Sequence, residues 1–403
     1  MIVERTLWAE KFVDTFSSRP LTAECVFHSP QYIDKDKQKE VCDLLLILRR
    51  NAILVSMKCQ DDPTSRTGDK LRRWAIKNST SAAKQAKGAL NTLAREHFWC
   101  LHSRRGRVDF EPSSIHVSHI VILTEVLGDP VDLPNDLPLA LGEIPVTYLS
   151  VNDFLNLINE LRAFPDITGY LDARRTLSDK YLRMIGHEVH FYKYYILNQG
   201  SLDGCESYAD ARISNAARDA EWQVVFAAGQ SRHQFGALIE YVSDALATRL
   251  KNFSEGLDVE TTARFDGADD RKRYILMQEE LCDLRLVERT ALGEYFTKAI
   301  HETEIGPTEG MTYAAFFTDS KPDLVYLLVS ARGVDRPILL PRLTTLLRAA
   351  MAHYGKGRGL VVADRDGEGF EIQLISGAFT DPADVNLGEA YFAKLRMSHV
   401  PMA

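Results

Sequence analysis

Residues 40–59, EVCDLLLILRRNAILVSMKC, form the segment that most limits how this chain can fold. Two apolar runs of strand length flank a short polar turn at residues 49–51, and this pattern predicts an antiparallel β-hairpin. Asp43 stands near the start of the first run and Lys58 near the end of the second. Charges buried in apolar strands are costly unless they are paired, bound to an ion or in water, so these two residues need an explanation.

The composition is that of an ordinary globular protein. The chain has 403 residues, of which 45% are hydrophobic and 26% charged, enough for two or three domains. No apolar run approaches the ~18 residues of a membrane span, and the N-terminal MIVERTLWAEKF lacks the apolar core of a signal peptide. The six cysteines form no CxxC pair, which favours reduced thiols over disulfides or a zinc cluster. We therefore expect a cytoplasmic protein without a membrane partner.

The order of predicted elements indicates an α/β fold with a mixed central sheet flanked by helices. A helix is expected over residues 3–17, followed by a strand interrupted at Pro30, the charged loop DKDKQK, the hairpin, a helix in SAAKQAKGALNTLAREHFW and a strand in SIHVSHIVILTEV. We interpret residues 1–165 as this α/β domain. Residues 166–304 are predicted to be mainly helical and residues 305–403 to form a small C-terminal α/β domain.

The charge distribution is uneven. The net charge is −8, yet the segment from Ser65 to Arg107 contains eleven lysine and arginine residues and only two acidic ones. Such a segment predicts a phosphate-binding face. The alternative is a charged helix surface that faces water and binds no ligand. Aromatic residues between the charges favour nucleic-acid binding. The candidate nucleic-acid-binding residues are Arg72, Arg73, Lys77, Lys84, Lys87, Arg104 and Arg105.

One end of the hairpin gathers side chains suited to phosphodiester hydrolysis. Ser56 and Lys58 are two apart on one strand and share a face, and Asp43 begins the partner strand, with Glu40 just before it. A carboxylate can hold Mg²⁺, and a lysine can orient or deprotonate the attacking water. The alternative is a cross-strand ion pair between Asp43 and Lys58, worth at most about 1 kcal/mol if exposed.

This arrangement resembles the PD-(D/E)XK nuclease superfamily over roughly residues 1–165. The resemblance implies a restriction-endonuclease-like core, Mg²⁺ or Mn²⁺ as cofactor, and a nucleic-acid substrate, with DNA favoured over RNA. It implies that Asp43 binds the metal and that Lys58 is the catalytic lysine. It also implies a glutamate from the opening helix, Glu4 or Glu10, and a polar residue from the following helix, Gln85 or Lys84. A defence or mobile-element context would suit such a domain by analogy of fold alone.

The sequence departs from the superfamily pattern at Ser56, which stands where the second acid is expected. A neutral hydroxyl is a weaker ligand for a hard cation than a carboxylate. Three sources of the missing charge are open: Glu40, an aspartate just past the strand (Asp61 or Asp62), or the glutamate of the opening helix. Without such a source, the domain would be a catalytically inactive nuclease-fold module that binds nucleic acid or protein. The long helices of the C-terminal half are candidates for assembly with a partner or a second copy.

Overall fold

The computed structural model describes residues 23–60, 66–126, 129–207, 236–245, 268–304, 310–365, 370–377, 379, 381–393 and 398–400. Contact density divides the chain into two compact units, Met1–Ala227 and Ala228–Ala403. The sequence had placed boundaries after residues 165 and 304. The helix predicted over residues 3–17 lies outside the described residues.

The helices and the cysteines of the described residues can be compared with the sequence predictions on membrane spans and disulfides. Among the described residues, no helix combines the length and the apolar character that crossing a bilayer requires. All six cysteines lie in the described part of the chain; none of them forms a disulfide there, and four of them are buried.

The first unit is built on a mixed β-sheet. Its strands are β1 (Val26–Asp34), β2 (Lys37–Glu40), β3 (Leu44–Leu48), β4 (Asn51–Lys58), β5 (Phe98–His102), β6 (Gly106–Phe110), β7 (His116–Thr124), β9 (Ala140–Leu141) and β10 (Ile144–Ser150). The spatial order is β6-β5-β1-β3-β4-β7-β10-β9, with β2 paired to β1. Strand β3 is antiparallel to β1 and β4, whereas β4, β7 and β10 are parallel. The predicted α/β fold with a mixed central sheet is confirmed at this level.

Five helices and a short ribbon complete the described part of this unit. They are α1 (Gly68–Arg95), α2 (Val151–Leu161), α3 (Phe164–Arg174), α4 (Asp179–Leu182), α5 (Val189–Leu197) and the ribbon of β8 (Val131–Asp132) with β11 (Met184–Ile185). Helix α1 is long and buries one face that is rich in alanine, including Ala75, Ala82 and Ala86. This face packs in one core with Leu45 and Leu54 of the hairpin. Small side chains let the helix approach the sheet closely.

Two local predictions next to the hairpin are wrong. Pro30 does not interrupt the first strand, because β1 continues through it with a register shift between His28 and Gln31. Ser29 takes a positive φ of 44° at this bulge. The segment DKDKQK is not a loop either, since it contains a two-residue turn and the start of β2. A strand whose four residues are all exposed carries no hydrophobic alternation by which it could be recognised.

Helices α2, α3 and α5 are joined by a buried polar network. The Arg174 guanidinium donates from Nε to Glu188 Oε1 at 2.7 Å and from a terminal nitrogen to Oε2 at 3.0 Å. Tyr170 donates its hydroxyl to the same carboxylate. Asp153 lies close by, and burial together with the Glu188 charge raises its pKa to about 6. Its Oδ2 atom is buried and makes no hydrogen bond among the described residues.

We expect Asp153→Asn to stabilise the first unit at neutral pH. The folded-state pKa of Asp153 is about 6 against an ordinary 3.8, so the folded state binds more protons between these values and loses stability as pH rises through them. The loss in the free energy of unfolding caused by the ionised Asp153 is fully present above pH ~6 and amounts to about 1–3 kcal/mol. Urea unfolding of both proteins at pH 7.5 and 4.5 measures it. A variant no more stable than wild type at pH 7.5 would contradict the assignment.

The second unit is a sheet covered by helices on both faces. Its strands are β12 (Gly310–Thr318), β13 (Leu324–Arg332), β14 (Arg358–Asp364), β15 (Phe370–Ser376) and β16 (Ser398–Val400), in the order β15-β14-β13-β12-β16. Its helices are a segment over 236–245, α6 (Ala268–Cys282), α7 (Leu286–Glu304), α8 (Arg336–Tyr354) and α9 (Pro382–Phe392). Residues of 236–245, α6 and α7 pack on one face of the sheet. Residues of α8 and α9 pack on the other.

Candidate active site

The predicted hairpin is present and determines the geometry of the site. Strands β3 and β4 pair in antiparallel register, with Leu44 opposite Val55 and Leu48 opposite Asn51. Arg49, in the turn, has a positive φ of 58°. Continuing the register by one residue beyond Leu44 places Asp43 opposite Ser56, at the end of the hairpin where β4 finishes.

The Asp43 carboxylate is held against β4. Its Oδ2 atom accepts a hydrogen bond from the Met57 backbone N–H at 2.7 Å and one from the Ser56 hydroxyl at 3.2 Å. Its Oδ1 atom makes no hydrogen bond within the described residues. One oxygen is therefore anchored, which fixes the direction in which the other can take a ligand.

Lys58 lies at the same end of the hairpin and is half-buried. Ser56 and Lys58 continue the alternation of Ala52 and Leu54, which pack in the core beneath α1, so they share that face of the sheet. In the part of the chain that the structure describes, the Lys58 ammonium makes no hydrogen bond or ion pair. The predicted cross-strand ion pair between Asp43 and Lys58 is therefore not formed.

Glu40 joins these two residues electrostatically. Burial and the charge of Asp43 raise the pKa of Glu40, whereas Lys58 opposes this shift. The electrostatic interaction indicates that the Glu40 and Asp43 carboxylates lie on the same end of the hairpin. Carboxylate oxygens are the ligands that hard divalent cations prefer, so the chemistry of Asp43 and Glu40 fits the metal that the resemblance implies. Groups of three metal-ligating side chains are not found among the described residues.

Two buried residues that the sequence analysis did not single out fix the chain beyond Lys58. The Gln60 backbone N–H donates to Glu125 Oε2 at 2.6 Å, and the Gln60 side chain donates to the Glu125 carbonyl at 3.0 Å. The Glu125 N–H donates to the Lys58 carbonyl at 2.9 Å. Burial raises the pKa of Glu125, whose Oε1 atom makes no hydrogen bond in the described part of the chain. A carboxylate that directly ends an apolar strand was the available sequence signal.

The polar residue predicted from the helix after the hairpin is not brought into this cluster. Gln85 is an exposed residue of α1, and Lys84 beside it is exposed as well. The α1 residue that meets the sheet near Lys58 is Ser79, which contacts Thr124 Oγ1 at 3.0 Å. Gln85 lies six residues, or about 9 Å of helix, beyond Ser79. Its role stays a prediction.

Some predicted ligands cannot be placed. Glu4 and Glu10 of the opening segment lie outside the described residues, as do Asp61 and Asp62 just past β4. Of the three proposed sources for the missing second charge, Glu40 is the one that the described structure brings near Asp43 and Lys58.

The predicted basic residues fall into two groups. Arg72, Arg73, Lys77, Lys84 and Lys87 are exposed on α1. Arg104 and Arg105 instead bind the buried Glu24 carboxylate at 3.0 and 2.8 Å. Burial alone would raise the pKa of Glu24, but these arginines and His102 hold it below its ordinary value. The charge of Arg104 and Arg105 is thus largely taken up inside the unit.

Comparison with known proteins adds no relative: no family model, curated protein or solved structure matches this chain.

Proposed function

We propose that the first unit is a metal-dependent nuclease that hydrolyses phosphodiester bonds of DNA. The observation that carries the proposal is the anchoring of Asp43 across the hairpin, at the end of β4 that bears the half-buried Lys58, whose ammonium makes no hydrogen bond or ion pair with the described residues. A charge removed from water is costly unless it is paired or bound to an ion, so the half-buried Lys58 is a candidate for a functional group. Glu40, which interacts electrostatically with both Asp43 and Lys58, is a second carboxylate at this end of the hairpin.

The order of elements supports the same proposal. Strands β1, β3, β4 and β7 are neighbours in the sheet in chain order, and α1 precedes β7 and packs on it. Strand, hairpin, helix and strand is the succession that the resemblance to PD-(D/E)XK nucleases implies, with β3 antiparallel to its neighbours. We therefore assign the finer description, a restriction-endonuclease-like core, as part of the proposal.

Each residue has a distinct task in the proposed reaction. Asp43 presents a carboxylate oxygen in a direction fixed by Ser56 and the Met57 N–H. Glu40 supplies the charge that Ser56 cannot, and Lys58 orients the attacking water and offsets charge on the phosphate. A divalent cation, when bound, neutralises the phosphate and lowers the pKa of water. The Gln60 and Glu125 pair keeps the backbone of Lys58 in register with β7.

The test is cleavage of plasmid DNA, single-stranded DNA and RNA by the full chain, with Mg²⁺, with Mn²⁺ and with excess EDTA. We expect DNA cleavage that requires the metal. Equal cleavage in EDTA would contradict metal dependence. Salt-sensitive DNA binding without cleavage in any condition would instead support the inactive nuclease-fold module, for which Ser56 in place of the second acid is the favouring observation.

A further inference from the structure

One face of α1 carries a row of cations. The residues are Lys70, Arg73, Lys77, Lys84, Lys87 and Arg95, here called the basic stripe. At about 100° per residue they fall within a sector roughly 100° wide. This sector is centred about 180° from the buried face that contains Ala75, Ala82 and Ala86. The stripe therefore faces away from the core along the whole helix.

The composition of this face differs from that of an ordinary solvated helix. Between the cations stand small or uncharged residues: Thr80, Ser81, Gly88 and Asn91. Asp69, at the first turn, is the single acid on the face, and its carbonyl accepts a hydrogen bond from Arg73. Solvated helices usually alternate charges at spacings of three and four residues, which stabilises them by pairing. In the described part of the chain, none of the six cations makes an ion pair with a carboxylate.

Gly88 lies on the same face of α1 and leaves it open. A Cβ atom added at Gly88 would meet nothing within 4 Å, so packing inside the protein does not require glycine there. Glycine inside a helix destabilises it by roughly 0.5–1 kcal/mol relative to alanine. A residue without a side chain does, however, permit close approach of a backbone from outside.

The length and charge of the stripe fit a straight partner with regularly spaced negative charges. Lys70 and Arg95 are separated by about 37 Å along the helix axis. One turn of duplex nucleic acid measures roughly 34–36 Å, and a duplex is straight over this distance. We infer that the basic stripe docks along one side of a double-stranded nucleic acid and contacts the phosphates that face it over about one helical turn. The inference rests on the proposed function, because it assigns that site's substrate as double-stranded.

The test measures binding without cleavage. Fluorescence anisotropy of the full chain in EDTA is followed against salt, with stem-loops of 6 to 24 base pairs in DNA and in RNA. We expect the slope of log affinity against log salt to steepen up to about 12 base pairs and then stay constant. The DNA and RNA series, compared at equal length, show which duplex is preferred. Single strands of equal nucleotide number serve as comparison.

The decisive variant is the triple change Arg73→Gln, Lys77→Gln and Lys84→Gln. If each cation contacts a phosphate, the magnitude of the salt slope falls by about 2–3. Glutamine keeps the helix propensity, and circular dichroism checks the fold. The matched control is Lys35→Gln, Lys37→Gln and Arg50→Gln, three exposed cations of β-turns and β2 that change the net charge equally. We expect the control to change the slope by less than about 1.

The inference would be overturned if the control variant lost as much salt slope as the triple variant, or if single strands bound as tightly as duplexes. It would also be overturned if the salt slope did not change beyond 6 base pairs. Phosphatidylserine vesicles are titrated in the same way, and tighter binding to them than to duplexes would contradict the inference too. The proposed nuclease can fail separately. Duplex binding through the stripe without metal-dependent cleavage would leave this inference standing, whereas cleavage with an unchanged slope in the triple variant would refute the stripe alone.

Discussion

Lys58→Ala is expected to lower metal-dependent DNA cleavage by about 10²–10⁴-fold at saturating metal. The Lys58 ammonium is half-buried at the end of β4 and makes no hydrogen bond or ion pair within the described residues. Its removal therefore takes away the group that orients water without breaking a structural contact. The measurement is the initial rate of plasmid cleavage over a range of Mg²⁺ concentrations. The matched control is Lys37→Ala, an exposed lysine of β2, which should cleave as wild type does.

Carboxylate variants separate metal binding from water activation. Asp43→Asn should abolish cleavage and leave the unfolding midpoint nearly unchanged, because the amide oxygen can still accept from the Met57 N–H. Glu40→Gln should raise the Mg²⁺ concentration for half-maximal rate and spare the maximal rate, since Glu40 contributes negative charge beside Asp43. Full activity in Lys58→Ala, or an unaltered Mg²⁺ requirement in Glu40→Gln, would contradict the roles given to these residues.

Arg174→Ala is expected to destabilise the first unit by about 3–5 kcal/mol, because it leaves the Glu188 carboxylate buried without its cation. The two side chains are 1% and 2% exposed, so water cannot replace the lost hydrogen bonds. For a unit of this size the loss corresponds to a fall of roughly 10 °C in the thermal transition of that unit. Calorimetry or urea unfolding measures the effect directly.

The neighbouring arginine provides the control. Arg175 is 57% exposed and lies 3.7 Å from the Asp172 carboxylate, so Arg175→Ala should cost less than about 1 kcal/mol. Two variants with the same loss of charge thus test burial alone. Similar unfolding midpoints for both would show that the Glu188 carboxylate is reached by water after all.

Local patterns predicted the hairpin well. Two apolar runs with a short polar turn determine both the strand pairing and its register, and register in turn places Asp43 opposite Ser56. The prediction that Asp43 and Lys58 meet at one end follows from the same counting. These features depend on residues close in sequence, where periodicity is informative.

Features that depend on distant contacts were not predicted. The segment around Ser79 has low helix propensity, yet α1 runs through it, with Ala75, Ser79 and Ala82 all buried against the sheet. Counting charges assigned Arg104 and Arg105 to a nucleic-acid surface, although Glu24, about 80 residues earlier, binds them both. The contact between Gln60 and Glu125 likewise joins residues that are far apart in the sequence. Tertiary packing, which a single sequence does not display, decides each case.

The sequence separation of the contacts around Lys58 has a consequence for folding kinetics. Asp43 and Ser56 are 13 residues apart, whereas Gln60 and Glu125 are 65 apart. Closing the short hairpin loop costs less conformational entropy than closing the loop between Gln60 and Glu125. The hairpin is therefore expected to form early and the Glu125 contacts late. Changes at Glu125 should therefore accelerate unfolding more than they slow folding. The pair of strands that carries the proposed chemistry would then assemble before the contacts that hold it in the sheet.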